Sequence, residues 1–196
     1  LTTTSTGIIT LSGGATWTGT NIFELNSVST INFNSQAISG INGTLKLSTS
    51  VPAASLTANS FSNYGAIDVA NFNLAKGAWL QKSDTPSTSF PFNVRNNFEL
   101  NSGNGASSNV QFIRSASATN TGASGSPFLI DDVYGLQGIN SNATTLAANV
   151  FYKLNRDIDA SGTVGWNHSS TVVGFIPIGD GTTAFAGQLD GNSKVI

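Results

Sequence analysis

The 196-residue sequence contains no cysteine and no methionine, and it has a single histidine, His168. The absence of cysteine excludes disulfide bonds and thiolate ligands, and a lone histidine excludes a multi-histidine metal site. His168 lies beside Ser169 and Ser170, and we interpret it as a solvated loop residue. The lack of both sulfur-containing residues, an initiator methionine included, favours an internal or processed piece of a longer exported chain.

Charged residues are also scarce. Asp, Glu, Lys and Arg make up 9% of the chain, whereas about 25% is typical of soluble domains. The net charge is −2, so there is no clustered basic field of the kind that holds nucleic acid. Long Lys and Glu faces, which cover the outside of helices, are nearly missing, and this argues against an α-rich protein. No secretory signal peptide is evident, and no apolar run reaches the roughly 18–20 residues of a membrane span.

Short neutral polar residues replace the missing charges: the chain has 26 Ser, 22 Thr and 22 Asn. Such side chains hydrogen-bond to neighbouring backbone without the cost of burying a charge, and they suit tight turns and stacked ladders. The composition therefore predicts an all-β protein with many turns.

Apolar residues follow a period of two in short segments separated by turn residues. Leu45 and Leu47, for example, alternate with Lys46 and Ser48, which is the pattern of a strand with one buried face. Turn signals recur at intervals of roughly 20 residues without a strict repeat, and irregular rungs of this length are common in β-solenoids.

A change of parity marks one corner. The apolar residues Ile67 and Val69 are at odd positions, whereas Phe72 and Leu74 are at even positions. The alternation therefore switches at Ala70-Asn71. A strand must switch in this way when it turns a corner and keeps apolar residues inside. The pattern predicts a coiled β-solenoid instead of a flat antiparallel sheet.

The chain divides into three predicted segments. Residues 1–82 are Ser/Thr/Asn-rich β-helix rungs, 83–127 are loop-rich rungs, and 128–196 form a β-helix module that continues beyond the chain end. In the middle segment we expect short strands at 92–94, 98–100 and 110–114, and 150–158 should re-enter the sheet. A solenoid with open ends exposes sheet edges, so we expect further rungs of the same or a neighbouring chain at both ends.

One helical turn is predicted near 132–139. Asp132 can cap it, and Val133, Leu136 and Ile139 recur at a spacing of three. Two glycines inside this stretch should keep the helix short, and it would close one side of the rod.

Motifs in the second half of the chain resemble a known family. They are Phe112-Ile113-Arg114, Ser126-Pro127-Phe128-Leu129-Ile130, Asp132-Val133-Tyr134-Gly135-Leu136-Gln137-Gly138-Ile139, the run 152–159, Trp166-Asn167, and the runs 174–179 and 185–196. They are similar to the shaft modules of large two-partner-secretion exoproteins, the filamentous-haemagglutinin-like adhesins. The family usually has Tyr where Phe128 stands and a His where Lys194 stands.

The resemblance implies a right-handed parallel β-helix exported across the outer membrane of a diderm bacterium by an outer-membrane secretion partner, and displayed at the cell surface. It covers somewhat under half of the chain. It implies no particular ligand, because fold and function are separable. Receptors would lie on a host or a neighbouring cell, with glycans as one class.

Candidate sites are few. Asp157 and Asp159 share one face and are candidate Ca²⁺ ligands, as are the adjoining Asp131 and Asp132, although a structural role at a turn is the favoured interpretation. We predict no catalytic residue and no cofactor.

Three Asn-x-Ser/Thr sequons begin at Asn42, Asn142 and Asn167, which is no more than chance predicts in so Asn-rich a chain. They are candidate glycosylation sites.

The sequence thus predicts a structural and adhesive segment of a surface filament, without enzymatic activity. One alternative is a carbohydrate-active β-helix enzyme, in which Trp17, Trp79 and Trp166 would stack on sugars, although burial of these residues is the favoured interpretation. The other alternative is a passive spacer that carries a toxin or adhesin tip encoded elsewhere.

Overall fold

The computed structural model describes residues 7–50, 55–84, 91–100, 109–167 and 174–196. The strands in these ranges are β1 (Ile9–Thr10), β2 (Ala15–Thr16), β3 (Ile22–Ser27), β4 (Ile31–Asn32), β5 (Ile38–Thr49), β6 (Phe61–Ser62), β7 (Ile67–Lys82), β8 (Phe92–Leu100), β9 (Val110–Ser115), β10 (Phe128–Ile130), β11 (Phe151–Leu154) and β12 (Gln188–Asp190). An α-helix, α1, spans Val133–Gly138, and a 3₁₀ helix spans Ser161–Gly165.

These strands pair in parallel and form a β-solenoid of about five turns, as predicted. The rungs differ in length. Ile9 pairs with Ile31, which is 22 positions later, whereas Tyr152 pairs with Leu189, 37 positions later. The irregular spacing explains why the sequence shows no strict repeat.

Identical or similar residues stack inside the rungs. Leu25, Leu47 and Leu74 are lateral partners on β3, β5 and β7, and all three are fully buried. Burying each such side chain contributes roughly 1.5–3 kcal/mol. Lys46, between Leu45 and Leu47, points outward and is half-exposed, so the predicted period of two is confirmed.

The predicted corner lies where the apolar parity switches. Val69 and Ala70 are consecutive and both buried, and the ladder between β7 and β8 shifts register between Val69 and Asn71. One extra residue in β8 accommodates the shift, because Val94 pairs with Val69 and Asn97 with Asn71. A β-bulge of this type bends a strand without ending it.

Aromatic rings fill the wider part of the interior. Trp79 is 1% exposed. Its ring centroid lies within 6 Å of the centroids of six other rings, those of Phe33, Phe61, Tyr64, Phe72, Phe92 and Phe112. Trp166 is also buried and stacks on Tyr134 at 5.4 Å between ring centroids. The favoured interpretation, burial of tryptophan, is confirmed for these two residues.

Helix α1 forms as predicted. The Asp132 carboxylate accepts a hydrogen bond from the backbone N–H of Gly135 at 2.8 Å, which caps the first turn. The glycines have a role that the sequence did not indicate: a Cβ on Gly138 would lie 2.4 Å from the carbonyl oxygen of Phe112. Glycine thus allows the helix backbone to pack directly on β9.

Two strand predictions need correction. The expected strands at 92–94 and 98–100 are one strand, β8, because the bulge keeps the backbone in the ladder. The expected strand at 150–158 is only Phe151–Leu154, and the three residues that follow it, Asn155, Arg156 and Asp157, are exposed.

Several predictions concern residues outside the described ranges. His168 is one of them, as are residues 85–90 and 101–108 of the predicted loop-rich segment 83–127. In the part of the chain that the structure describes, no helix is long and apolar enough to cross a bilayer.

Candidate functional site

Asparagine side chains connect parts of the chain that lie in different rungs. In each case the Nδ2 amide donates to a backbone carbonyl at least 21 positions away. The pairs are Asn34 to Leu11, Asn42 to Thr18, Asn59 to Leu80, Asn142 to Val110 and Asn192 to Leu154, at 2.9–3.2 Å. This arrangement satisfies backbone carbonyl groups of neighbouring rungs, and it gives these five asparagines a structural role.

Several of the few charged side chains form ion pairs between neighbouring rungs. Lys46 Nζ lies 3.1 Å from Glu24 Oε1, and these residues are direct lateral partners on β5 and β3. Lys153 Nζ lies 3.4 Å from Asp190 Oδ2, again between lateral partners, on β11 and β12. A third exposed pair joins Arg95 to Asp68 at 2.8 Å. Exposed pairs of this kind contribute little stability, about 0–1 kcal/mol each.

Arg114 is the exception, because its side chain is buried. Its Nε donates to Asp132 Oδ2 and its Nη1 donates to Gln81 Oε1, both at 2.5 Å. Its guanidinium also lies 5.4 Å from the centroid of the Phe92 ring. Arg114 therefore connects β7, β9 and the cap of α1 inside the fold.

The candidate Ca²⁺ ligands each have a structural partner. Asp157 Oδ1 accepts from the backbone N–H of Val195 at 3.0 Å, and Asp159 Oδ1 accepts from that of Ser161 at 2.9 Å. Both aspartates are exposed. Asp131 accepts from the Asn155 amide, and Asp132 caps α1.

These contacts agree with a role at turns, and the Ca²⁺ role of Asp157 and Asp159 stays a prediction. Among the described residues, no three Asp, Glu or His side chains come together in a way that would hold a metal ion.

The three sequons differ in accessibility. Asn42 is exposed, whereas Asn142 and Asn167 are 4% and 3% exposed. The Nδ2 atom that a glycan would occupy donates to a backbone carbonyl in all three residues: Thr18 O for Asn42, Val110 O for Asn142 and Gly174 O for Asn167. Of the three, Asn42 alone has an exposed side chain, and its hydrogen bond to Thr18 O also lies at the surface.

A groove of about 380 Å³ lies on the outer face of β11 and β12. Four of its side chains form two lateral pairs, Phe151 with Gln188 and Lys153 with Asp190. Residues two apart on a strand are about 6.7 Å apart, and neighbouring strands about 4.8 Å. The four side chains thus outline a small rectangle with an aromatic corner, an amide corner and an ion pair.

The loop before β10 supplies the wall of this groove, with Ser124 and Pro127 in its lining. The wall is tied to the sheet: Phe151 N donates to Gly122 O at 2.8 Å, and the Asn120 amide donates to Pro127 O. Gly122 has a φ of +80° and packs against the Phe128 ring, a conformation and space that suit glycine. The groove is therefore formed before any ligand arrives.

Tyr152 separates the groove from the interior. Its hydroxyl donates to Thr145 O at 2.7 Å, and burial raises its pKa far above the ordinary value. Because it stays neutral and engaged, Tyr152 contributes packing, and the polar chemistry of the groove belongs to the outer side chains.

Sequence reasoning did not find the groove, nor the ion pairs. Both depend on register between residues 22 to 37 positions apart, and irregular rung lengths hide that register.

Comparison with known proteins gives one partial match. The chain is 39% identical over 89 residues to Halomucin of Haloquadratum walsbyi, a match that covers 43% of this chain and 1% of the Halomucin sequence. No family model matches the chain, and no solved structure matches it. A β-solenoid together with this match is compatible with a structural or adhesive role at a cell surface.

Proposed function

We propose that this chain is a structural and adhesive segment of an exported surface filament, in which stacked rungs form the shaft. The observation that carries the proposal is the rung-to-rung bonding of a parallel solenoid: apolar columns inside, and asparagine bonds and exposed ion pairs between rungs. Each rung contacts mainly its neighbours, so such a structure extends by repetition. The partial match to Halomucin supports a surface or secreted location.

The proposal includes the secretion route that the family resemblance implies. The chain would leave the cell through an outer-membrane secretion partner of the two-partner type, and adhesion would be to a host or neighbouring cell. A solenoid without disulfides suits this route, because the chain can cross a membrane unfolded and fold afterwards without redox chemistry.

Further rungs at both open faces are part of the same proposal. On one face Trp17 and Phe23 line a cavity of about 470 Å³, and Ile22 beside them is 63% exposed. On the opposite face Ile178 and Leu189 line an apolar cavity of about 300 Å³. Another rung stacked on either face would bury these side chains as the interior rungs bury theirs.

Electron microscopy of the intact parent protein, on or shed from its native cell, tests the proposal. We expect thin rods a few nanometres wide that contain this segment, located by an antibody against the chain. A compact particle would contradict the filament. We also expect the purified chain to leave polysaccharides intact, because the filament proposal assigns no catalytic step to it.

A further inference from the structure

We propose that the groove on β11 and β12 binds a neutral saccharide ring. The inference rests on the proposed adhesive function and assigns it a place in the fold. The groove belongs to a rigid sheet with a tied wall, which is how binding sites are usually presented.

The side chains of the groove suit a sugar. A pyranose ring has an apolar face of C–H groups and a rim of hydroxyls that both donate and accept. Phe151, which is half-buried, offers an aromatic face for the C–H groups. Gln188, Ser124 and the Lys153–Asp190 pair offer donors and acceptors around it, and all of these residues line the same groove.

The charge of the groove indicates a neutral ligand. Lys153 and Asp190 lie 3.4 Å apart, and their side chains are 37% and 59% exposed, so hydroxyls can reach both while the net charge stays near zero. An anionic polysaccharide would gain attraction from Lys153 and lose it to Asp190. A balanced pair therefore favours uncharged hydroxyls over sulfate or carboxylate groups.

A peptide strand fits the groove less well. The lining is the outer face of β11, which is already hydrogen-bonded to β10 on one side and β12 on the other. The backbone of β11 thus has no free edge for an added strand. Among the described strands β12 is an edge of this sheet, but a strand added there would extend the solenoid beside the groove, so recognition within the groove must come from side chains.

Saturation-transfer NMR of the whole chain with the methyl β-glycosides of glucose, galactose and N-acetylglucosamine tests the inference. We expect at least one of them to bind, with a dissociation constant of about 1 mM, as befits one ring in one groove. Phe151→Leu keeps the apolar volume and removes the aromatic face, and Gln188→Ala removes the exposed amide. Each should weaken binding about tenfold. Glu24→Gln, which alters a similar exposed ion pair on distant rungs, should leave binding unchanged.

Other outcomes would overturn the assignment. The absence of binding by all three glycosides would do so, as would unchanged affinity in both groove variants. Tighter binding of heparin fragments than of neutral glycosides would show that the ligand is anionic. These results are independent of the filament: rods in electron micrographs without sugar binding would refute the groove assignment alone, whereas compact particles would refute the filament.

Discussion

Arg114 and Asp132 form an ion pair 18 residues apart in sequence, with Nε 2.5 Å from Oδ2. The Arg114 side chain is 2% exposed and that of Asp132 is 21% exposed. The same aspartate caps α1 through its other oxygen, so one carboxylate fixes both a buried guanidinium and the start of a helix. The pair therefore couples the last strand of the aromatic core, β9, to the module that follows it.

Replacing Arg114 should be costly. Arg114→Leu removes the guanidinium donors of Asp132 Oδ2 and Gln81 Oε1, and removal of one partner from a buried pair costs about 3–5 kcal/mol of unfolding free energy. Arg95→Leu breaks the exposed pair with Asp68 and should cost about 0–1 kcal/mol. Urea unfolding followed by tryptophan fluorescence measures both, and equal losses would mean that Arg114 does not hold the two parts together.

Ile158 tests the packing of the segment after β11. The residue is 5% exposed within the second apolar cluster, so Ile158→Ala should lower the free energy of unfolding by about 2–5 kcal/mol. Val164 is 81% exposed, so Val164→Ala is the control. We expect it to change the free energy of unfolding by at most about 0.5 kcal/mol. A loss near zero at Ile158 would show that its side chain does not point inward.

Gly138 should not tolerate alanine. In an isolated helix the change would be favourable by about 1 kcal/mol, but here the new methyl group would collide with the carbonyl oxygen of Phe112. We expect a net destabilisation of about 1–3 kcal/mol. Thermal melts measure both changes, and Gly125→Ala, at a position with no neighbouring atom within 4 Å, should be nearly neutral. Stabilisation by Gly138→Ala would rule out close packing of α1 on β9.

Asp159 should titrate below its usual range. Hydrogen bonds from the Ser161 side chain and then from its backbone hold the pKa of Asp159 below the ordinary value of 3.8. Since the folded pKa is the lower one, this contribution to stability is present above the unfolded pKa and is lost as pH falls through the folded value. An NMR titration should give a midpoint under 3.8, and Ser161→Ala should raise it.

Thr163→Ala, in the same 3₁₀ helix, serves as the control for that titration and should leave the midpoint where it is. A wild-type midpoint at or above 3.8 would show that Ser161 does not hold the carboxylate in solution.

The three sequons should differ in glycosylation because their asparagines differ in burial. When the folded chain is exposed to an N-glycosylating enzyme, we expect modification at Asn42 and none at Asn142 or Asn167, whose amides are buried and engaged. Intact mass and peptide mapping report the sites, and Asn42→Gln should abolish the mass increase. A glycan on Asn142 of the folded chain would be incompatible with the burial of its side chain.

Much of the fold was predictable from local sequence patterns. Leu45 and Leu47 showed the period of two, the step at Ala70-Asn71 showed a corner, and Asp132 showed a helix start. Each signal lies within a few residues, where sterics and hydrogen bonding act directly. The ladder of Leu25, Leu47 and Leu74 was not readable in the same way, because its members are separated by rungs of unequal length.

The candidate groove was less predictable for the same reason. Phe151 and Gln188 are lateral partners across 37 positions, part of which runs through the 3₁₀ helix. Nothing near either residue indicates the other. The buried position of Arg114 was equally hidden, since arginine is usually exposed and only the fold brings Gln81 and Asp132 to it.

Unequal rungs also have a mechanical consequence. A pull along the stacking direction would load the lateral hydrogen bonds of one rung at a time, so strands would peel in sequence. Each release would free between 22 residues, as from Ile9 to Ile31, and 37, as from Tyr152 to Leu189. At about 3.3 Å per extended residue, the steps would range from about 70 to 120 Å. Under tension, this chain would lengthen in uneven increments and so dissipate work over many small events.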